Sequence, residues 1–286
     1  MRVSALRSKS LVLLGHWGWL LGCVLLSSIF IVSGATKLFA PQPTADTAAA
    51  AGLPSSIWIV LLVGTFEIVI SSALAIGYRR SWAALLLLAF IFFVTPAFHG
   101  FWRFGGPQRE GQLVQLLKNT AILGGLAFVA GASLSTHAGR ALRFGARMAL
   151  ATIFFANGFG IVGQQRATHE LIASGVSAGV APMFILAGQV TQVIAGGLLL
   201  LSSPIAVVLG ALLLAGFLVP ATVLAHSFWL ASPNEFTIQL LNFFKNVSAI
   251  GSLLLIAAWY ALQLLNRPSL TAVGPPQKRG KTCPLK

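Results

Sequence analysis

The chain has 286 residues, of which 57% are hydrophobic and only 8% are charged. A soluble domain carries about 25% charged residues, so this composition excludes a water-soluble globule and indicates an integral membrane protein. The formal net charge of +14 would suggest nucleic-acid binding in a soluble protein. Here the basic residues separate apolar segments and report topology instead, so we expect the lipid bilayer as a partner and no nucleic acid.

The apolar segments predict eight transmembrane helices, since about 20 apolar residues cross a bilayer core. The first apolar run, Leu11 to about Ser33, is longer than the roughly 7–15 residues of a signal-peptide core, so we predict an uncleaved helix. The other seven helices are predicted at residues 57–77, 82–98, 113–132, 148–162, 183–201, 205–225 and 236–265. Polar loops are expected at 37–54 and 166–180, and a basic linker at 137–147.

One pattern of residues occurs twice. His-x-Phe-Trp is followed after a short loop by Lys-Asn, and five residues of the pattern recur at an offset of 127 residues. The candidate residues in these two copies are His99 and His226, Trp102 and Trp229, Lys118 and Lys245, and Asn119 and Asn246. Residues 29–34 are echoed by 153–158 at an offset of 124. We interpret the chain as a duplicated unit with a three-residue insertion in the second copy.

Each copy holds an even number of helices, so both copies cross the membrane in the same sense and are predicted to be parallel repeats. The predicted fold is all-α and integral to the membrane, with eight transmembrane helices arranged as two parallel-oriented four-helix bundles. The first unit is expected at 1–135, the second, degenerate unit at 136–266, and a basic cytoplasmic tail at 267–286.

The distribution of Lys and Arg predicts the orientation. With the N-terminus inside, 13 of the 19 basic residues lie on the cytoplasmic side, as the excess of Lys and Arg in cytoplasmic loops requires. We therefore expect both termini in the cytoplasm, in a bacterial plasma (inner) membrane.

Glu67, in the middle of the second predicted helix, is the main candidate for chemistry, because an unpaired carboxylate is costly there. Lys37, His99 and Lys118 come from the other three helices of the unit and are available partners. A four-helix bundle builds its sites from such inward-facing residues. Two interpretations stay open: the residues pair to fix helix packing, or they form a binding or redox site.

The second copy lacks part of this set. At the offset of 124, Thr191 stands for Glu67 and Ile161 stands for Lys37. This difference predicts one active-type site in the first unit and a supporting second bundle. Each His motif supplies one ligand where a closed zinc site needs about four, so no metal site is predicted, although haem ligation by the two histidines stays conceivable.

The first unit resembles the DoxX family of small four-helix membrane proteins. The resemblance depends on Phe30-x2-Ser33-Gly34-x2-Lys37-Leu38, on Glu67, on His99 and on the Lys118-Asn119 pair. It covers about residues 28–132 well and about 150–262 as a weaker copy. The family takes its name from a subunit associated with archaeal thiosulfate:quinone oxidoreductase and terminal oxidase, and other members are tied to membrane redox balance. The resemblance therefore implies a redox-linked membrane subunit.

Three functions follow as hypotheses, and the sequence leaves open whether any of them involves catalysis. The first is a redox-linked subunit that binds a quinone or a similar small molecule in the outer half of the first bundle. A quinone is the possible cofactor: His99 or Lys118 would donate to its carbonyl oxygen, and Glu67 would supply a proton. The second is a small-solute transporter with Glu67 as the coupling carboxylate. The third is a non-catalytic scaffold that docks a redox or secreted partner protein.

Overall fold

The structure is a computed structural model, and it describes residues 2–265, with side chains described at residue 13 and from residue 15 onward. The predicted basic tail and its Cys283 lie outside the described residues. Residues 2–265 form ten α-helices and contain no β-strand. The helices are α1 (Arg2–Phe39), α2 (Pro41–Ala50), α3 (Ile57–Ile76), α4 (Arg80–Phe98), α5 (Gly106–Ala132), α6 (His137–Gly158), α7 (Gln164–Ala173), α8 (Ala181–Leu200), α9 (Pro204–Ala225) and α10 (Pro233–Leu265).

Seven helices within residues 2–265 are long and apolar enough to cross a membrane: α1, α3, α4, α5, α8, α9 and α10. The all-α membrane architecture is thus confirmed, but the count of eight spans is not. The predicted span that is not among these seven, at 148–162, corresponds to α6, which has 22 residues. Its first half carries Arg140, Arg143 and Arg147, and these three charges lower its mean hydropathy.

Three segments expected to be loop or linker contain helix instead. The basic linker is the first half of α6, whose first turn is capped by the Thr136 hydroxyl accepting from Gly139 N. A Ser, Thr, Asp or Asn at this position satisfies a free amide of the first turn. The two expected loops on the outer side contain α2 and α7, and Pro41 begins α2 at a position where its missing N–H costs no hydrogen bond.

The helices pack as a closed ring rather than as two separate bundles. We call α1–α5 the first half and α6–α10 the second half. Helix α1 packs most extensively against α10 and α3, and α6 packs against α5 and α8. Helices α5 and α10 also contact each other at the centre. The first helix of each half therefore lies against the last helix of the other half.

Two hydrophobic clusters lie inside this ring. One is built mainly by α1, α3, α4 and α5, around Leu26, Leu74 and Leu87. The other is built mainly by α6, α8, α9 and α10, around Leu150 and Leu214. Both clusters include residues of α5 and α10, so these two helices belong to both cores. The predicted arrangement of two four-helix bundles is therefore not confirmed.

Small residues permit the close approach of helices from different halves. A Cβ added to Gly22 on α1 would lie 2.9 Å from the Gly251 oxygen on α10. A Cβ added to Gly124 on α5 would lie 2.5 Å from the Ala146 oxygen on α6. Membrane helices associate through such small-residue contacts because lipid supplies little hydrophobic driving force.

Candidate functional site

Glu67 forms an ion pair with Lys37 in the first half. Helices α1 and α3 cross at two glycines, where a Cβ on Gly34 would lie 2.6 Å from the Gly64 oxygen. This close crossing brings Lys37 Nζ to 2.8 Å from Glu67 Oε2, and the ammonium also donates to Ser33 Oγ at 2.5 Å. Glu67 is only 3% exposed. As expected, Glu67 faces the interior, and Lys37 is its partner.

The other two members of the predicted cluster bond elsewhere. His99 Nδ1 lies 2.9 Å from Gln112 Oε1. Lys118 Nζ lies 2.9 Å from His226 Nε2, on the other half of the molecule. The structure thus separates the four residues into an ion pair between α1 and α3, a His–Gln pair, and a Lys–His contact that joins the halves.

The remaining sequence candidates occupy varied positions. Asn119 is buried and donates to Thr95 Oγ1 at 3.1 Å. Trp102 and Trp229 lie on the 3-10 turns 101–103 and 228–230, and they are 56% and 51% exposed. Their rings pack edge-on against Phe101 and Phe228. Aromatic rings at the ends of membrane helices favour the interface between lipid and water, which is the position expected of an anchor.

Polar side chains join α5 and α10 at the centre of the ring. Gln115 Nε2 donates to Asn242 Oδ1 at 2.7 Å, and Lys245 Nζ donates to Gln115 Oε1 at 2.6 Å. Gln115 and Asn242 were not among the predicted site residues. They stand at the same offset of 127 as the His and Trp pairs, and two amides at matched positions of apolar helices were the signal that could have found them.

His226 is oriented from both sides of its ring. An ammonium group can only donate hydrogen bonds, so the tautomer that accepts from Lys118 at Nε2 carries its proton on Nδ1. Nδ1 then donates to Gln239 Oε1 at 3.0 Å. His99 and Gln112 make the matching contact in the first half, with the same two atoms at 2.9 Å.

A cavity of about 1060 Å³ opens in the second half, with residues of α5 to α10 around it. Ligand pockets are usually about 300–1,000 Å³, so this space accommodates a sizeable molecule. Its polar side chains include Gln115, Lys118, Arg166, Glu170, Gln192, His226, Asn242, Lys245 and Asn246. Its apolar side chains include Val114, Phe154, Phe184, Ile185, Phe217 and Leu218. A largely apolar lining with a small number of polar groups is typical of binding sites for small molecules.

The backbone explains why this space is open in the second half. Helix α1 continues to Phe39, which carries Lys37 onto the face of α3. Helix α6 ends at Gly158, and the chain then turns through Gly160 and Gly163, both with positive φ. Glycine adopts this conformation without steric cost. Ile161, the counterpart of Lys37, is consequently 64% exposed and does not fill the space.

The position that Glu67 occupies in the first half holds an uncharged residue in the second half. Thr191, its counterpart, bonds back to Ala187 O of its own helix at 2.8 Å. The neighbouring Gln192 is 4% exposed, and its Nε2 lies 3.3 Å from Gly188 O. Among the described residues, the second half therefore has no ion pair at the position that Lys37 and Glu67 occupy in the first half. Within residues 2–265, no three His, Cys, Asp or Glu side chains are grouped as metal ligands.

The comparisons with known proteins identify the first part of the chain. No curated protein and no solved structure matches this sequence. The model of the DoxX family matches residues 18–100, which contain Lys37, Glu67 and His99. Residues 18–100 of this membrane protein therefore form a DoxX-family domain.

Proposed function

We propose that the protein is a redox-linked membrane subunit that binds a quinone, or a similar small molecule, in the cavity of the second half. One observation carries this proposal: an apolar cavity of about 1060 Å³ holds two lysine ammonium groups beside a histidine. A quinone has an apolar ring and two carbonyl oxygens that need hydrogen-bond donors. Glu67 is already paired with Lys37, which is the reason to move the expected site from Glu67 to the second half.

The lysines retain the donors that such a ligand needs. Each ammonium has three N–H groups. Lys118 uses one on His226, and Lys245 uses one on Gln115. The remaining N–H groups can donate to carbonyl oxygens, while the ring lies between Phe154 and Phe217 on the apolar walls.

The test is equilibrium binding of a short-chain benzoquinone to the purified protein in detergent. We expect the double variant Lys118→Met/Lys245→Met to bind at least about tenfold more weakly, equivalent to about 1.4 kcal/mol. Arg109→Gln is the matched control, because Arg109 carries a positive charge near the start of α5 but does not line the cavity. Binding to the double variant with wild-type affinity would refute the proposal.

Two further assays separate the alternative functions. The first assay measures uptake of a small solute into proteoliposomes. Uptake by the wild-type protein and its loss in Glu67→Gln would support transport coupled to this carboxylate. A stable complex with a redox or secreted partner that survives Glu67→Ala, with no quinone bound, would support the scaffold.

We also propose that the two halves arose by tandem duplication, with α6 as the eighth span and units at 1–135 and 136–266. The matching His–Gln contacts support this proposal, as does the burial of two α6 arginines. Arg143 Nη1 donates to Leu134 O at 2.9 Å, and Arg147 Nη1 donates to Leu199 O at 3.0 Å. Arginines bonded in this way to backbone carbonyls are tolerated at the end of a membrane helix.

The proposed orientation places both termini in the cytoplasm of a bacterium, with the protein in its inner membrane. Cys23 is fully buried, and the chain has only one other cysteine, Cys283. An impermeant maleimide should therefore label Cys283 in lysed cells and leave it unlabelled in intact cells. Labelling of intact cells would reverse the topology.

A further inference from the structure

We propose that the cavity of the second half binds an amphiphile with an anionic headgroup, which Lys118 and Lys245 hold. This inference goes beyond the quinone proposal and does not depend on it. It concerns the charge of the ligand, which follows from the way that the charged side chains around the cavity are paired.

Neither lysine has an acidic partner. Within residues 2–265 the salt bridges are Lys37–Glu67 and Arg166–Glu170. Lys118 contacts a histidine nitrogen, and Lys245 contacts the Gln115 amide oxygen. A cation inside the membrane region is costly unless it is paired, so two ammonium groups with neutral partners favour an anion from outside the chain.

The two carboxylates that line the cavity accept hydrogen bonds from groups other than the lysines. Glu110 Oε1 accepts from Gly163 N at 2.8 Å, and Glu170 Oε1 accepts from Arg166 Nε at 2.6 Å. Arg166 lies on α7, and its second guanidinium nitrogen donates to Ala225 O at 3.1 Å. Glu110 bonds only to a neutral amide and keeps its charge, so the lining holds three basic side chains against two acidic ones. The remaining net charge of +1 favours an anionic ligand.

The apolar wall indicates that this ligand has a hydrocarbon part and enters from the bilayer. Phe184 near the start of α8 and Leu224 near the end of α9 both line the cavity. They are also 57% and 47% exposed, so the apolar lining continues onto the surface of two membrane-spanning candidates. A chain could lie between α8 and α9 while the headgroup reaches the lysines. A fatty carboxylate and an anionic phospholipid share this chemistry.

The first arm of the test uses the wild-type protein and needs no variant. Dodecanoate and dodecanol, which differ in headgroup charge, are titrated into the protein in nonionic detergent above the pKa of the acid. We expect dodecanoate to bind at least about tenfold more tightly. The second arm is native mass spectrometry with phosphatidylglycerol against phosphatidylcholine, and preferential retention of phosphatidylglycerol would identify a phospholipid as the source.

Variants then locate the site. Lys118→Met/Lys245→Met should remove the preference for the anion, and Lys118→Arg/Lys245→Arg should keep it, because guanidinium retains the charge. Arg109→Gln should leave the preference unchanged. Equal affinity for dodecanoate and dodecanol, with no preference for phosphatidylglycerol, would overturn the proposal, as would an anion preference that persists in the double Met variant. Benzoquinone binding is measured separately, so failure of the quinone proposal with lysine-dependent dodecanoate binding would leave this inference standing.

Discussion

The two halves of the ring differ most at one pair of positions. In the first half, Lys37 and Glu67 meet at 2.8 Å across the α1–α3 crossing. In the second half, the counterparts Ile161 and Thr191 do not meet, because Ile161 is turned outward beyond the end of α6 and Thr191 bonds to its own helix. A cavity of about 1060 Å³ opens there. The comparison places a buried ion pair at this crossing in the first half and a cavity at the matching place in the second half.

The halves are nevertheless joined at their polar centre. Lys118 of the first half contacts His226 of the second, and Lys245 of the second contacts Gln115 of the first. Each lysine thus bonds to the opposite half. The polar contacts at the centre therefore depend on both halves.

The largest expected effect on stability is that of breaking the Lys37–Glu67 ion pair. Glu67→Ala should lower the free energy of unfolding by about 3–5 kcal/mol, because removal of one partner leaves the other charge buried. Thr191→Ala, the matched change in the second half, should cost about 0.5 kcal/mol or less, because its hydroxyl bonds only to its own helix. Thermal unfolding in detergent measures both. Equal losses in the two variants would remove the distinction between the halves.

The next largest effect on stability is expected from Arg147, which joins α6 to the end of α8. Arg147 is 5% exposed and donates to Leu199 O and Leu201 O, both at 3.0 Å. Arg147→Ala should cost about 2–3 kcal/mol, since hydrogen bonds to charged groups contribute most when buried. Arg140 on the same helix is exposed, and Arg140→Ala serves as the control with a loss near zero. A stable Arg147→Ala variant would show that these two hydrogen bonds contribute little to the anchoring of α6.

The third effect compares two glycines. Gly34→Ala would place a Cβ 2.6 Å from the Gly64 oxygen, and a backbone atom yields little, so we expect a loss of about 2 kcal/mol from overpacking. Gly188→Ala meets only a Phe217 ring carbon at 3.1 Å, and the ring can move into the cavity. The small loss of stability in Gly188→Ala should be offset by the higher helix propensity of Ala. Unfolding midpoints that fall equally would indicate that α8 and α9 pack as tightly at Gly188 as α1 and α3 do at Gly34.

The smallest effect concerns the Arg166–Glu170 pair on α7. The Arg166 side chain is 52% exposed, and exposed pairs on one helix contribute only about 0.3–0.5 kcal/mol. Glu170→Gln should therefore leave the unfolding midpoint nearly unchanged. A large loss would mean that α7 holds the second half closed, which would make this pair comparable with Lys37–Glu67.

The sequence by itself determined the class of the protein and much of its local structure. Too few charges for a soluble surface and long apolar runs require membrane helices, and the predicted segments correspond to α1, α3–α6 and α8–α10, although α6 begins about eleven residues earlier than expected. Glu67 could be expected to find a partner because a lone carboxylate inside a membrane helix is costly. Lys37, His99 and Lys118 were then the candidate partners, because each comes from a different helix of the same unit.

Only the tertiary structure decided which helices become neighbours. Lys118 and Glu67 belong to the same half in sequence, yet Lys118 bonds to His226 because α5 and α10 pack against each other at the centre of the ring. The cavity also depends on the tertiary structure. Helix α6 ends at Gly158, and the turn at Gly160 places Ile161 away from α8. Local periodicity sets the inward face of each helix, but the partner of that face depends on long-range packing between the halves.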